Sequence, residues 1–189
     1  MRQSKHDDIL EAAKRVVQRE GVTTLTYESV ATEAGLTKGG LLYHFPSREA
    51  LLLKLHEYVA AQWERCLEEE AGGLAGELTE AQRFTAFTRL SQNPDRAELL
   101  LMLEAGEDDA ASAAWEAVYS RWAPGPPPVD ESGDPDDDEL RAFVARLAAD
   151  GLWFCEALAP HPLDEAVRRR VVEAIITWGT AGSSESESR

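Results

Sequence analysis

The sequence predicts an all-α fold of about nine helices. Three observations carry that prediction. Alanine, leucine, glutamate and arginine, which favour helix, dominate the composition. Apolar residues recur at helical spacing, and no sustained two-residue alternation of the strand kind is present. Capping side chains, glycines and prolines punctuate the chain where helices would start and stop.

Taken in order, Ser4 with Asp7 makes a capping-box-like start to a first helix, whose face carries Ile9, Leu10, Ala13, Val16 and Val17, and Gly21 ends it. Thr26 is a side-chain acceptor placed to cap Tyr27-Glu28-Ser29-Val30-Ala31. Gly35 follows the last periodic residue and can take the left-handed conformation that closes a helix. Thr37 caps a second short helix, which Pro46 stops. Ser47 caps a long helix reaching about Glu70, with Leu51, Leu52, Leu55, Tyr58, Val59 and Leu67 on its apolar face. After a glycine-rich break, Thr79 and Gln82 form another capping box ahead of Phe84, Phe87 and Leu90. Asn93-Pro94 starts the next helix with proline in its first position. Residues 111–122 form a further helix, and two last ones run over 139–158 and 163–178. Residues 123–138, rich in proline and aspartate, read as a mobile loop, and the tail 179–189 as disordered.

A capped helix, a tight glycine turn and a second capped helix make the helix-turn-helix pattern, whose second helix enters the DNA major groove. The run Gly35-Leu36-Thr37-Lys38-Gly39-Gly40-Leu41-Leu42-Tyr43-His44-Phe45-Pro46-Ser47-Arg48-Glu49 resembles the TetR family of bacterial transcriptional repressors. That family shows a glycine, a small hydroxyl residue, Lys-Gly, a leucine, aromatics and then Phe-Pro-Ser-Lys/Arg-Glu. The resemblance covers roughly residues 5–60. Leu42 stands where the family usually has a phosphate-contacting tyrosine, with Tyr43 one place later, and Glu28 stands where it often has a basic residue. The resemblance implies a three-helix reading head over residues 1–50 and a helical ligand-binding and dimerisation domain over 51–189. The boundary then falls inside the long helix, not at a flexible linker.

Charge is distributed unevenly. Residues 1–60 hold eight Lys/Arg and eight Asp/Glu, so the whole net charge of −16 falls after them. An acidic C-terminal part repelled by DNA would leave the N-terminal part to face it; keeping the protein soluble is the other reading of that excess. No apolar run reaches membrane-spanning length, and the first residues lack the apolar core of a signal peptide. Cys66 and Cys155 form no metal or redox motif, which suggests two buried thiols in a reduced, cytoplasmic protein. Thr37-Lys38-Gly39-Gly40 lacks the upstream glycine of a phosphate-binding loop. Pro135 stands where a calcium loop from Asp130 needs glycine. The four histidines have no zinc spacing, and no nucleophile arrangement is present, so neither enzyme, metal nor cofactor is expected.

The candidate DNA contacts are Thr26, Tyr27, Thr37, Lys38, Gly39, Gly40, Tyr43, His44 and Lys54. Thr37 and Lys38 begin the recognition helix, where free backbone N–H groups favour a phosphate oxygen. Gly39 and Gly40 cost roughly 1 kcal/mol each against alanine but let the backbone approach the groove. The other reading of the pair is a loosely formed helix held by packing. Tyr43 and His44 can donate to phosphate or touch base edges; Thr26 and Tyr27 can reach the flanking backbone. Lys54 resembles the family's phosphate-contacting lysine by position, or is an ordinary solvated lysine.

One such helix gives little affinity, whereas two copies about 34–36 Å apart match one DNA turn, so double-stranded operator DNA implies a homodimer. The apolar faces of the last two helices, from Leu140 through Phe154 and from Val167 through Trp178, supply an interface. Burial within the chain is the alternative. In the resembled family the middle helices enclose a small-molecule pocket. Trp63, Phe87, Met102, Trp115, Tyr119 and Trp153 are its candidates here, for an apolar or amphipathic effector. Acidic neighbours Glu104, Glu107, Asp108 and Glu116 lean weakly toward a cationic one. The expected function is a ligand-released, dimeric repressor. The alternative is a helical scaffold dimer that works through protein–protein contacts without specific DNA binding.

Overall fold

The computed structural model describes residues 5–129, 133–158 and 160–182. Among them are nine α-helices and no strand: α1 Lys5–Glu20, α2 Tyr27–Ala34, α3 Lys38–His44, α4 Arg48–Ala71, α5 Glu80–Leu90, α6 Arg96–Ala105, α7 Asp109–Trp122, α8 Asp137–Leu158 and α9 Glu165–Gly179. Two short 3-10 turns, Val22–Thr24 and Ala75–Glu77, join α1 to α2 and α4 to α5.

The chain divides into two compact units, Met1–Gln62 with Asp95–Glu116, and Trp63–Pro94 with Ala117–Arg189. In the first, α1 packs on α2 and α6, and α2 on α3. Ile9, Val16, Val17, Leu25, Val30, Leu41, Leu51 and Leu55 are fully or almost fully buried there. Lys14 Nζ bonds Asp95 Oδ2 at 2.8 Å and Gln62 Oε1 at 3.0 Å, and the Ala97 N–H donates to Gln18 Oε1 at 2.6 Å. The Asp95 and Ala97 bonds fasten α1 to the start of α6, and the Gln62 bond ties it to α4. In the second unit, α8 packs on α9 and both pack on α5. Phe84, Phe87, Trp122, Ala145, Ala149, Leu152, Val172 and Ile175 are buried. Arg121 grips Glu64 with two bonds of 2.6 and 2.7 Å.

Several boundaries differ from the expected ones. Helix α6 does not begin at Pro94: Asp95 is its cap, accepting from the Ala97 N–H at 2.8 Å, because an acceptor side chain satisfies a free N–H and a proline ring only tolerates the position. Helix α8 begins at Asp137 and so takes in the last two residues of the expected 123–138 loop. Asp164 caps α9, and Gly179 is that helix's last residue, not the first of a tail. The Ser4 cap, residues 130–132 of the loop and residues 183–189 lie outside the described residues. Cys66 and Cys155 are exposed, not buried. Cys66 precedes the fully buried Leu67, and one residue is about 100° of helix, enough to turn the thiol out.

Candidate nucleic-acid interface

The helix pair α2–α3 is held by local side-chain chemistry. Thr26 Oγ1 accepts from the Ser29 N–H at 3.1 Å while Ser29 Oγ accepts from the Thr26 N–H at 3.0 Å, a reciprocal box at the start of α2. Gly35 closes α2 with φ of 64°, a conformation costly for any residue with a Cβ. Thr37 Oγ1 then accepts from the Gly40 N–H at 3.1 Å and starts α3. From α3, Leu41 and the following Phe45 go into the core. Arg48 donates to the Leu25 and Val22 carbonyls at 2.9 and 3.2 Å, fixing the entry to α4.

What remains outside is a polar surface interrupted by Leu42, which is 41% exposed. Tyr43 is 87% exposed, and its ring meets that of His44 edge-on, 5.3 Å between centroids. A Cβ on Gly39 would meet nothing within 4 Å, so nothing among the described residues requires glycine there. Thr26, Thr37 and Lys38 are exposed, and Gly40 and His44 are half-buried. Tyr27 behaves otherwise: its hydroxyl donates to the Phe45 carbonyl at 2.9 Å, joining the start of α2 to the end of α3. Desolvation, with the charge of Glu49 second, raises its pKa and keeps that hydroxyl a donor.

Two of the candidate cations already have partners. Lys54 Nζ meets Glu57 Oε2 at 2.6 Å on the same helix. Lys38 Nζ meets Glu28 Oε1 at 2.5 Å, an ion pair between the first turns of α2 and α3. The hydrogen bond from Lys38 holds the Glu28 carboxyl below its usual range, so it stays ionised. The sequence marked Glu28 only as a departure from a pattern; its pairing with a lysine ten residues on shows once the two helices are docked.

The expected ligand residues divide between the units. Trp63, Phe87 and Tyr119 form one aromatic cluster, with centroids 6.0, 5.0 and 5.8 Å apart in pairs. The Arg146 guanidinium lies over Tyr119 at 4.7 Å and pairs with Asp150 at 3.2 Å. Burial raises the Asp150 carboxyl, and Arg146 opposes that rise. Trp153 is half-buried and meets Phe154 edge-on. Met102 and Trp115 belong to the first unit, where the buried Trp115 indole donates to His56 Nδ1 at 3.1 Å. Since that nitrogen accepts, His56 Nε2 carries the proton and donates to Glu104 Oε2 at 2.8 Å. His56 is fully buried, and sequence reasoning missed the network. Its spacing four residues after Leu52 signals burial, but its partners lie 48 and 59 residues away. Of the acidic neighbours, Glu104 serves His56, and Asp108 caps α7 by accepting from the Ala110 and Ala111 N–H groups.

On α8 the residues Leu140, Val144, Leu147, Phe154 and Leu158 are exposed and spaced three, four or seven apart, one continuous apolar stripe. Val167 and Trp178 are exposed on α9. Leu152, Val172 and Ile175, expected on the same faces, are buried within the chain instead.

Comparison with known proteins places these features in a family. Residues 9–55 match the family model described as bacterial regulatory proteins, tetR family, and residues 76–180 match that of the tetracyclin repressor-like C-terminal domain. An uncharacterized HTH-type transcriptional regulator of Bacillus subtilis, YerO, is 37% identical over 54 residues, which is 29% of this chain and only 19% of that protein. A solved structure of a putative transcriptional regulator from Pseudomonas aeruginosa superimposes with a TM-score of 0.68 at 21% identity, over 98% of this chain and 96% of its own. A putative regulator from Saccharomonospora viridis, solved in complex with choline, gives a TM-score of 0.68 at 20% identity, over 90% and 94% of the two chains.

Proposed function

Because the chain belongs to the TetR family of bacterial regulatory proteins, and is thus a DNA-binding transcriptional regulator and not an enzyme, we propose that it acts as a dimeric repressor that leaves its operator when a small molecule binds its C-terminal helices. The observation that carries the DNA part is the outer face of α3. Lys38, the open Gly39 and the 87% exposed Tyr43 lie together there, beside the Thr26 and Thr37 caps. A helix without a side chain at Gly39 lets backbone come close to a groove. Lys38 and the hydroxyls of Thr37 and Tyr43 address phosphate, while Tyr43 and His44 reach base edges. Tyr27 acts in this scheme by orienting α2 on α3, since its hydroxyl is used inside the head.

Dimerisation rests on the exposed stripe of α8 with Val167 and Trp178 of α9, an apolar surface of the kind that marks an interaction site. Effector binding is assigned to the Trp63–Phe87–Tyr119 cluster, an aromatic surface suited to an apolar or amphipathic molecule. Helix α4 carries the coupling: its first half belongs to the unit with the reading head, and its second half bears Trp63. The Glu28–Lys38 pair favours the second reading, a scaffold dimer without specific DNA contact, because it cancels the one cation on α3.

Linkage gives the test. An effector that releases DNA must itself be weakened by DNA through the same factor, about 5–150-fold for a coupling of about 1–3 kcal/mol. A ligand found by thermal shift is titrated with and without operator duplex. Equal factors in both directions support the reading; an unchanged ligand affinity shows that the molecule fills a cavity without controlling the protein.

A further inference from the structure

The second unit contains a cavity of about 500 Å³ separate from the aromatic cluster. Its walls come from α5, the end of α7 with the proline segment that follows it, the first turns of α8 and the end of α9. Three arginines, Arg83, Arg121 and Arg141, line it; Arg121 is already paired with Glu64, and the side chains of Arg83 and Arg141 are about one quarter exposed, at 24% and 23%. Arg83 donates through Nη1 to the Ala75 and Leu78 carbonyls. Arg141 donates through Nη1 to Asp138 Oδ1 at 2.6 Å. Its Nε is buried and meets no acceptor among the described residues. A buried donor left unmade costs about 1–3 kcal/mol, more on a charged group, so an acceptor that reaches it once the Arg141 side chain shifts is favoured. The three acids of the site are all exposed: Glu80 at 90%, Asp138 at 64%, and Glu139 beside it. The interior therefore offers positive charge, and water screens the negative charge at the rim. Phe84 and the rings of Pro124 and Pro126–Pro128 supply apolar wall.

We propose that this cavity is a second small-molecule site, for an organic anion with a compact apolar body, whose carboxylate bonds the Nε edge of Arg141. A guanidinium side edge and a carboxylate match in geometry, and such charge-assisted bonds are roughly twice as strong as neutral ones. The ring of the ligand lies against Phe84 and the prolines. The site stands on its own residues and does not depend on the effector reading of the Trp63 cluster.

Benzoate, its neutral counterpart benzamide and the cation benzyltrimethylammonium, titrated into the full chain by calorimetry, test this. Benzoate is expected to bind once per chain and roughly tenfold or more tighter than benzamide, with the cation weakest. Arg141→Met is expected to abolish that preference. Arg141→Lys, which keeps the charge but lacks the Nε edge, is expected to lose most of it, and its thermal melt reports whether the fold survives. No benzoate binding up to about 10 mM overturns the assignment. So does equal binding of the three probes, or benzoate binding unchanged in both folded variants. A preference lost in Arg146→Met but kept in Arg141→Met moves the anion to the aromatic cluster and overturns it as well.

Discussion

Replacing Glu28 with glutamine should strengthen DNA binding and steepen its dependence on salt. The reason is the 2.5 Å ion pair with Lys38, whose members are 65% and 56% exposed. In the wild type the pair is electrically neutral, and Lys38 reaches a phosphate only by leaving Glu28. The glutamine variant keeps the shape and a hydrogen-bonding end but frees one cation per chain, two per dimer. Each phosphate neutralised contributes about 0.9 to the slope of log K against log salt, so the dimer's slope should steepen by about 1.8. Between about 50 and 200 mM salt, the variant should lose about twelvefold more affinity than the wild type. Fluorescence anisotropy on one labelled duplex across a salt series measures this. Lys38→Ala in the Glu28→Gln background should return the slope toward the wild-type value. An unchanged slope in Glu28→Gln would place Lys38 away from the phosphates. A loss of affinity at every salt concentration would mean that Glu28 itself accepts from a base. Either result refutes the reasoning.

Glutamate at Leu147 and Phe154 together should give folded monomers that no longer bind DNA, with self-association weakened roughly hundredfold or more, because both residues are exposed in the single chain. A dimer surviving in sedimentation would put the interface elsewhere; Ile175 is a poorer choice, since its loss would damage the chain's own core. Glu98 carries a proton-linked stability. Burial, with the charge of Asp95 second, raises its carboxyl from 4.5 to about 7 against the opposing Lys14. The folded chain then holds a proton that the unfolded one has released, so this stability is full below 4.5 and is lost as pH rises through about 7. Glu98→Gln should remove that dependence and be more stable above neutral pH by up to about 3 kcal/mol, read from urea unfolding at about pH 5 and pH 8. Identical pH profiles would contradict it.

The reading head was legible because its signals are local. The Thr26 and Thr37 caps bond backbone three residues away, and Gly35 closes its own helix. Those contacts are written in spacing alone. The misreadings have local causes too: the rule that proline starts helices lost at Pro94 to a neighbouring acceptor, Asp95. Side chains serving two distant elements were not legible. The Glu28–Lys38 pair, the His56–Glu104–Trp115 chain and the Arg141 cavity depend on how helices dock, which helical periodicity does not specify. The same holds for the six expected ligand residues. Their aromatic character was readable, but not that Trp63, Phe87 and Tyr119 would come together as one cluster.

Selection of bound sequences from a random pool of duplex DNA by the purified chain, with the stoichiometry of the winning complex weighed by sedimentation, tests the central claim most directly. The account predicts an inverted repeat whose half-site centres lie about 34–36 Å, or a whole number of turns, apart, with an even number of chains per duplex. The Lys38→Ala variant should bind the selected site more weakly and with a shallower salt slope. A pool that stays unenriched, or a single unrepeated site holding one chain, would contradict it.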